Sequence, residues 1–221
     1  MVKKLLPYLI LTMGLLHIFL LHHLLFKLIP MALILVYAYL QCSSANKRHA
    51  FLTLAGLFFC MLGDGLLRFF VVGLSAFLIG HLFYLSAFLM RWRFSPLRLC
   101  AALPLAGFAA FMGWKLHGGL TAGGHDNLIV PVFLYVAVIT LMGFFAVMTG
   151  NWRCAAGALL FIASDSILSW NMFVSDIAYS GVLVMGTYYT AQFLIAGSIR
   201  HRLRASGGIQ NGSDAPVRFL T

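Results

Sequence analysis

Two aspartates, Asp64 and Asp165, stand inside long apolar runs of a chain that carries five aspartates and no glutamate. A carboxylate at the centre of a membrane helix costs about 2.5–3.5 kcal/mol on insertion scales. A sequence this poor in acid that retains two such groups has a use for them. In a low-dielectric interior, desolvation and mutual repulsion let one carboxyl keep its proton near neutral pH while the other stays ionised. Such a pair can deliver a proton and then stabilise the positive charge that develops, the logic of glycoside hydrolysis. Either aspartate can fill either role. Structural roles compete with this reading: interhelical hydrogen bonding, or an ion pair between Asp64 and Arg68 one turn away. Asp126, Asp176 and Asp214 fall in connections or in the tail.

Other polar residues join these acids. His81 lies within an apolar run, with Phe77 one turn before it and Tyr84 one turn after, all on one helical face. On the last run, Tyr188 and Tyr189 precede Gln192 by four and three residues. A packed aromatic stripe with a hydrogen-bonded imidazole is the plain reading; beside two buried acids, a role in positioning a ligand or water stands level with it. Lys27 and Pro30 open another run, where a lysine ordinarily snorkels to water. His22 and His23 suit an interface, and His17 either packing or lining. Asp64, Asp165 and His81 are three scattered metal ligands without a local pair motif, so neither a metal nor another cofactor is expected. Gly-rich phosphate loops, HExxH, CxxC and GxSxG are absent from the sequence.

The elements that must position these groups follow from composition. The 221 residues are 62% hydrophobic and 9% charged, with a mean hydropathy of +0.97. Soluble domains average about 45–50% apolar and about 25% charged residues. A soluble enzyme, a disordered protein and a secreted disulfide scaffold are excluded; the chain belongs in a membrane. Eight runs reach the length of about 17–25 residues that spans a bilayer: Leu5–Leu21, Leu24–Gln41, Ala50–Leu67, Phe69–Met90, Leu97–Leu116, Asn127–Thr149, Cys154–Phe173 and Ile177–Ile199. They lack the alternation of a membrane barrel, and a helix satisfies its own backbone in lipid. The expected fold is an all-α polytopic membrane protein of eight transmembrane helices, one domain over residues 1–200. A basic, polar tail over 201–221 reads as disordered. His117–Asp126 reads as a Gly-rich turn.

Alternate connections carry the positive charge. Lys3, Lys4, Lys47, Arg48, Arg91, Arg93, Arg98, Arg153, Arg200, Arg202, Arg204 and Arg218 fall on one side, against Lys27, Arg68 and Lys115 on the other. Twelve against three places both termini in the cytoplasm. The net charge of +10 is therefore a topology signal and a contact for anionic lipid headgroups, not a nucleic-acid surface. The first run starts like a signal peptide, but His22-His23-Leu24-Leu25-Phe26 offers no small-residue cleavage site, so it reads as an anchor. Cys42, Cys100 and Cys154 lie at cytoplasmic ends and Cys60 within a span, so no disulfide is expected.

Runs three and seven echo each other at an offset of 101. Gly56, Asp64 and Leu67 lie over Gly157, Asp165 and Leu168. Runs four and eight echo at an offset of 105, placing Phe83-Tyr84 over Tyr188-Tyr189 and Phe88-Leu89 over Phe193-Leu194. The pattern suggests a parallel repeat of four helices plus four, with Asp64 and Asp165 facing each other across a central cavity.

These residues, in this order, resemble the YhhN-like transmembrane family of lysoplasmalogenases: Lys27-x-x-Pro30, Gly63-Asp64 closing a Leu-Phe-Phe run, Gly80-His81-x-x-Tyr84, Gly157-Ala-x-x-Phe161-x-x-Ser164-Asp165 and Tyr188-Tyr189-x-x-Gln192. The resemblance covers most of the chain, from the second run to the eighth. It implies an eight-helix bundle that hydrolyses the vinyl-ether bond of lysoplasmalogens to a fatty aldehyde and a glycerophospho-headgroup. Asp64 and Asp165 would be its catalytic acids. Lys27, His81, Tyr84, Tyr188, Tyr189 and Gln192 would hold the lysophospholipid or water, and the setting would be a bacterial inner membrane. Two other classes remain open: a small proton-coupled transporter using the same Asp and His residues, and a structural or lipid-binding membrane protein. Against a carrier, Pro30, Pro104 and Pro131 lie near run ends and break no matched pair of helices.

Overall fold

In lipid each apolar run must close its backbone hydrogen bonds internally, and here each does so as a helix. The computed structural model describes residues 2–20, 23–43 and 46–200. His22, Arg202, Arg204, Asp214 and Arg218 lie outside the described residues. The order is α1 (Val2–Phe19), α2 (Leu24–Leu40), α3 (Lys47–Leu66), α4 (Phe70–Leu89), a one-turn α5 (Pro96–Leu99), α6 (Ala102–Ala122), α7 (Ile129–Met148), α8 (Trp152–Phe173) and α9 (Ser180–Gly197), with no strand among the described residues. Five stretches are long and apolar enough to cross a membrane: Lys47–Leu66, Phe70–Leu89, Pro96–Ala122, Asp126–Met148 and Trp152–Phe173. Leu24–Leu40 is apolar but shorter. Leu97, Leu103, Trp114 and Val130 are largely exposed, as side chains that face lipid should be.

One sequence expectation needs correction. The fifth run does not end at Leu116; α6 continues through the expected turn to Ala122, leaving only Gly123–His125 before a short 3-10 turn at Asp126–Leu128. Gly118-Gly119 belong to the expected Gly-rich turn, yet Gly119 serves close packing. A Cβ there would run into the carbonyl oxygen of Phe173 on α8.

Packing is tightest between α3 and α4 and between α8 and α9, the two pairs that the internal echo relates. A Cβ on Gly80 would stand 2.9 Å from Cys60 Sγ and 3.1 Å from the Gly56 carbonyl oxygen. On α8, a Cβ at Gly157 would stand 3.0 Å from the Ala191 carbonyl oxygen. Small residues thus bring backbones together where no hydrophobic force separates helix from lipid.

The basic residues gather at one end of the bundle. Arg91 donates to the carbonyls of Ser198 at 3.0 Å and Ile199 at 3.5 Å, and Arg153 to that of Gly197 at 2.9 Å. These arginines cap the C-terminal end of α9, where cations complement the helix dipole. Lys3, Gln41, Asn46 and Arg200 line a single recess at that end. The start of α2 and the end of α3 therefore meet at the opposite end.

Candidate functional site

Asp64 is the third residue from the end of α3, and Lys27 is the fourth of α2. Lys27 Nζ lies 3.0 Å from Asp64 Oδ1, with the two side chains 15% and 2% exposed. Tyr188, from α9, donates its hydroxyl to Asp64 Oδ2 at 2.6 Å. Both carboxylate oxygens are thus engaged, one by a cation. Lys27 does not snorkel to water as its position suggests; it turns inward because a buried carboxylate is the better partner. The partner of Asp64 is Lys27 rather than Arg68.

Asp165 is held differently. It sits two thirds of the way along α8, and the Tyr135 hydroxyl of α7 donates to its Oδ2. Lys27–Asp64 is the sole ion pair among the described residues, so Asp165 has a neutral donor and no cation. It borders a cavity of about 80 Å³ between α4, α6, α7 and α8. Leu74, Phe77, Met112 and Ile139 supply apolar wall, and Phe108 and Met172 at its edge are exposed. Its exposed edge lies on the lipid side.

The two acids do not face each other across an open central cavity. Aromatic rings fill the space between them. Tyr188 meets Phe161 edge-on at 5.3 Å, Phe161 meets His81 at 4.5 Å, and His81 meets Tyr135 at 5.3 Å. The supporting residues are similarly ordered. Tyr84 donates to Gln192 Oε1 at 2.6 Å. His81 is fully buried, with Nδ1 2.6 Å from the Phe77 carbonyl oxygen one turn before it. Tyr189 donates to the Lys27 carbonyl at 2.9 Å and lies 3.1 Å from His17 Nδ1, so it fixes the backbone of Lys27 and does not contact either acid.

Lys27, Asp64, His81, Tyr84, Asp165, Tyr188, Tyr189 and Gln192 thus fall in one connected interior region. Sequence reasoning missed Tyr135, a phenol inside the most apolar helix of the chain. Its being the one tyrosine of that helix was its only signal. Asp64, Asp165 and His81 do not gather into a coordination shell, and among the described residues no three His, Cys or carboxylate side chains are placed to hold a metal.

The sequence model of the YhhN family matches residues 22–199. Human lysoplasmalogenase TMEM86A is 38% identical over 157 residues, covering 64% of this chain and 62% of that protein. Mouse lysoplasmalogenase TMEM86B is 32% identical over 126 residues, covering 57% of this chain and 52% of that protein. A lysoplasmalogenase of Mycobacterium bovis is 32% identical over 135 residues, covering 57% of this chain and 49% of that protein. The chain therefore spans 49% to 62% of the length of these relatives. No solved structure matches.

Proposed function

The chain belongs to the YhhN family, and from that premise we propose that it is a membrane-embedded hydrolase cleaving the vinyl-ether bond of lysoplasmalogens, with Asp165 as the acid and Asp64 as the ionised partner. The observation that carries this is the unequal setting of the two carboxyls. Asp64 has Lys27 beside it, whereas Asp165 has only a neutral phenol and an apolar cavity. A carboxyl without a counter-ion in such surroundings is the one that keeps a proton to give. The names of the mammalian and mycobacterial relatives support the substrate class.

In this reading the alkenyl chain enters laterally past Phe108 and Met172 while the headgroup stays near the interface. Asp165 protonates the alkenyl carbon distal to the ether oxygen, which leaves an oxocarbenium ion. The Asp165 carboxylate and the Lys27-paired Asp64 supply the negative field that stabilises it. Water adds to the carbon bearing the oxygen. One of its protons restores Asp165 and the other ends on the departing glycerol oxygen as the hemiacetal collapses. The products are a fatty aldehyde and a glycerophospho-headgroup. Eight crossings with both chain ends on the cytoplasmic side of a bacterial inner membrane complete the reading, supported by the basic end of the bundle.

The test is aldehyde release by the detergent-purified protein, offered an alkenyl lysophospholipid beside its acyl and saturated-ether analogues. Aldehyde from the alkenyl lipid alone, lost in both Asp64→Asn and Asp165→Asn, is the expected result. Near-normal rates in both variants would remove the acid pair from the mechanism. No product from any lipid would remove the hydrolase.

A further inference from the structure

Two fully buried side chains beside the acids each keep one polar atom without a hydrogen-bond partner among the described residues: Nε2 of His81 and Nε2 of Gln192. The other such atoms, on His49 and Asn151, belong to residues at the starts of α3 and α8, at the basic end. Buried polar atoms find partners almost without exception, so an orphan inside a packed bundle marks where something is bound. Here the two orphans are complementary. His81 Nδ1 donates to the Phe77 carbonyl, and in the neutral imidazole this leaves a lone pair on Nε2. Gln192 Oε1 accepts from Tyr84, and its Nε2 therefore has hydrogens to give.

Tyr84 ties the pair together. Its hydroxyl holds Gln192, and its ring stands edge-on to His81 with centroids 6.3 Å apart. On its other side His81 abuts the Tyr135 ring, whose hydroxyl serves Asp165. We infer that His81 and Gln192 hold the water that attacks the oxocarbenium ion, an assignment that rests on the vinyl-ether reaction proposed above. An acceptor and a donor together suit water. They suit a metal ion or an anion poorly, since the amide repels the first and the imidazole lone pair the second. A water that donates to His81 and accepts from Gln192 keeps one lone pair directed elsewhere.

The protons balance through this arrangement. As the new carbon–oxygen bond forms, the water proton facing His81 passes to Nε2. The hemiacetal hydroxyl then returns its proton to the Asp165 carboxylate while the carbon–oxygen bond to glycerol breaks. The imidazolium gives its proton to the departing oxygen. Acid, base and aldehyde are each left in the state the cycle needs.

Turnover in D2O separates the water site from the acid. The wild type should release aldehyde bearing one deuterium beside the carbonyl, and its recovered substrate should carry none. His81→Asn and Gln192→Met should each lower aldehyde release by roughly 10²-fold, His81→Asn by removing the proton acceptor and Gln192→Met by releasing the water from it. Because their uncaptured cation reverts, their recovered lipid should gain deuterium at the distal alkenyl carbon. Asp165→Asn should show neither release nor exchange. Exchange requires a folded acid site, so it also reports that the variants are intact, and the two substitutions lie on different helices. Wild-type release in both variants, or loss of release without exchange in both, would overturn the water site while leaving the hydrolase standing. No aldehyde from the wild type would instead remove the reaction, and the water site with it.

Discussion

Lys27 and Asp64 form the kind of buried pair whose halves are worth more together than apart. Removing one partner from a buried pair costs about 3–5 kcal/mol, because the remaining charge stands uncompensated. Lys27→Met should therefore lower the unfolding temperature in detergent sharply, while adding Asp64→Asn to it should restore most of the loss without restoring turnover. A Lys27→Met protein as stable as the wild type would show that the ion pair does not form. Tyr135→Phe is the milder case. It removes the hydroxyl that orients Asp165, and aldehyde release should fall about 10-fold with folding unchanged, less than the roughly 10²–10⁴-fold that a proton-transferring group itself contributes. An unchanged rate would dismiss Tyr135 from the site. The acids themselves were legible because carboxylates are so scarce in this chain that two inside spans stand out. Their partners were not. Lys27 lies 37 residues from Asp64 on another helix, and the hydropathy of α7 hides Tyr135 as one more packing ring.

At the scale of elements, the existence and order of the helices follow from apolar run length, since a membrane admits few alternatives. Their ends follow less well. The glycines at 118 and 119 resemble a helix stop because glycine commonly ends helices, but in lipid a glycine also lets one backbone approach another. Gly119 does the second, lying against the end of α8. Gly119→Ala should force α6 and α8 apart near the Asp165 cavity, costing about 1–3 kcal/mol as overpacking does. Both thermal stability and turnover should drop. Gly107→Ala on the same helix is the control, since a Cβ there meets nothing within 4 Å. Equal behaviour of the two variants would mean that the α6–α8 approach is looser than described. The same reasoning explains why the internal echo is partial. Gly56 and Gly157 both admit a neighbouring helix, yet Asp64 draws its hydroxyl partner from α9 and Asp165 from α7. The echo keeps the glycines that admit a neighbouring helix but not the partners of the two acids.

For the whole molecule, orientation decides which leaflet the acid pair lies nearer. Alternate connections carry the positive charge, and the bundle brings those connections to one end, where Arg91 and Arg153 cap α9. Lys27 and Asp64 lie toward the other end, so a basic end in the cytoplasm puts the Lys27–Asp64 pair nearer the outer leaflet. The native cysteines make this testable. Cys42 and Cys100 are exposed, whereas Cys60 and Cys154 are buried. In intact cells a membrane-impermeant maleimide should leave all four unmodified, and permeabilisation should expose Cys42 and Cys100 together while the buried pair stays protected. In a cysteine-free background, His125→Cys should react without permeabilisation, because an exposed residue between α6 and α7 lies on the opposite side. Labelling of Cys42 from outside would invert the orientation and move the acid pair toward the inner leaflet. Labelling of Cys42 and His125→Cys from the same side would break the alternation of spans, and with it the shared basic end from which the orientation is argued.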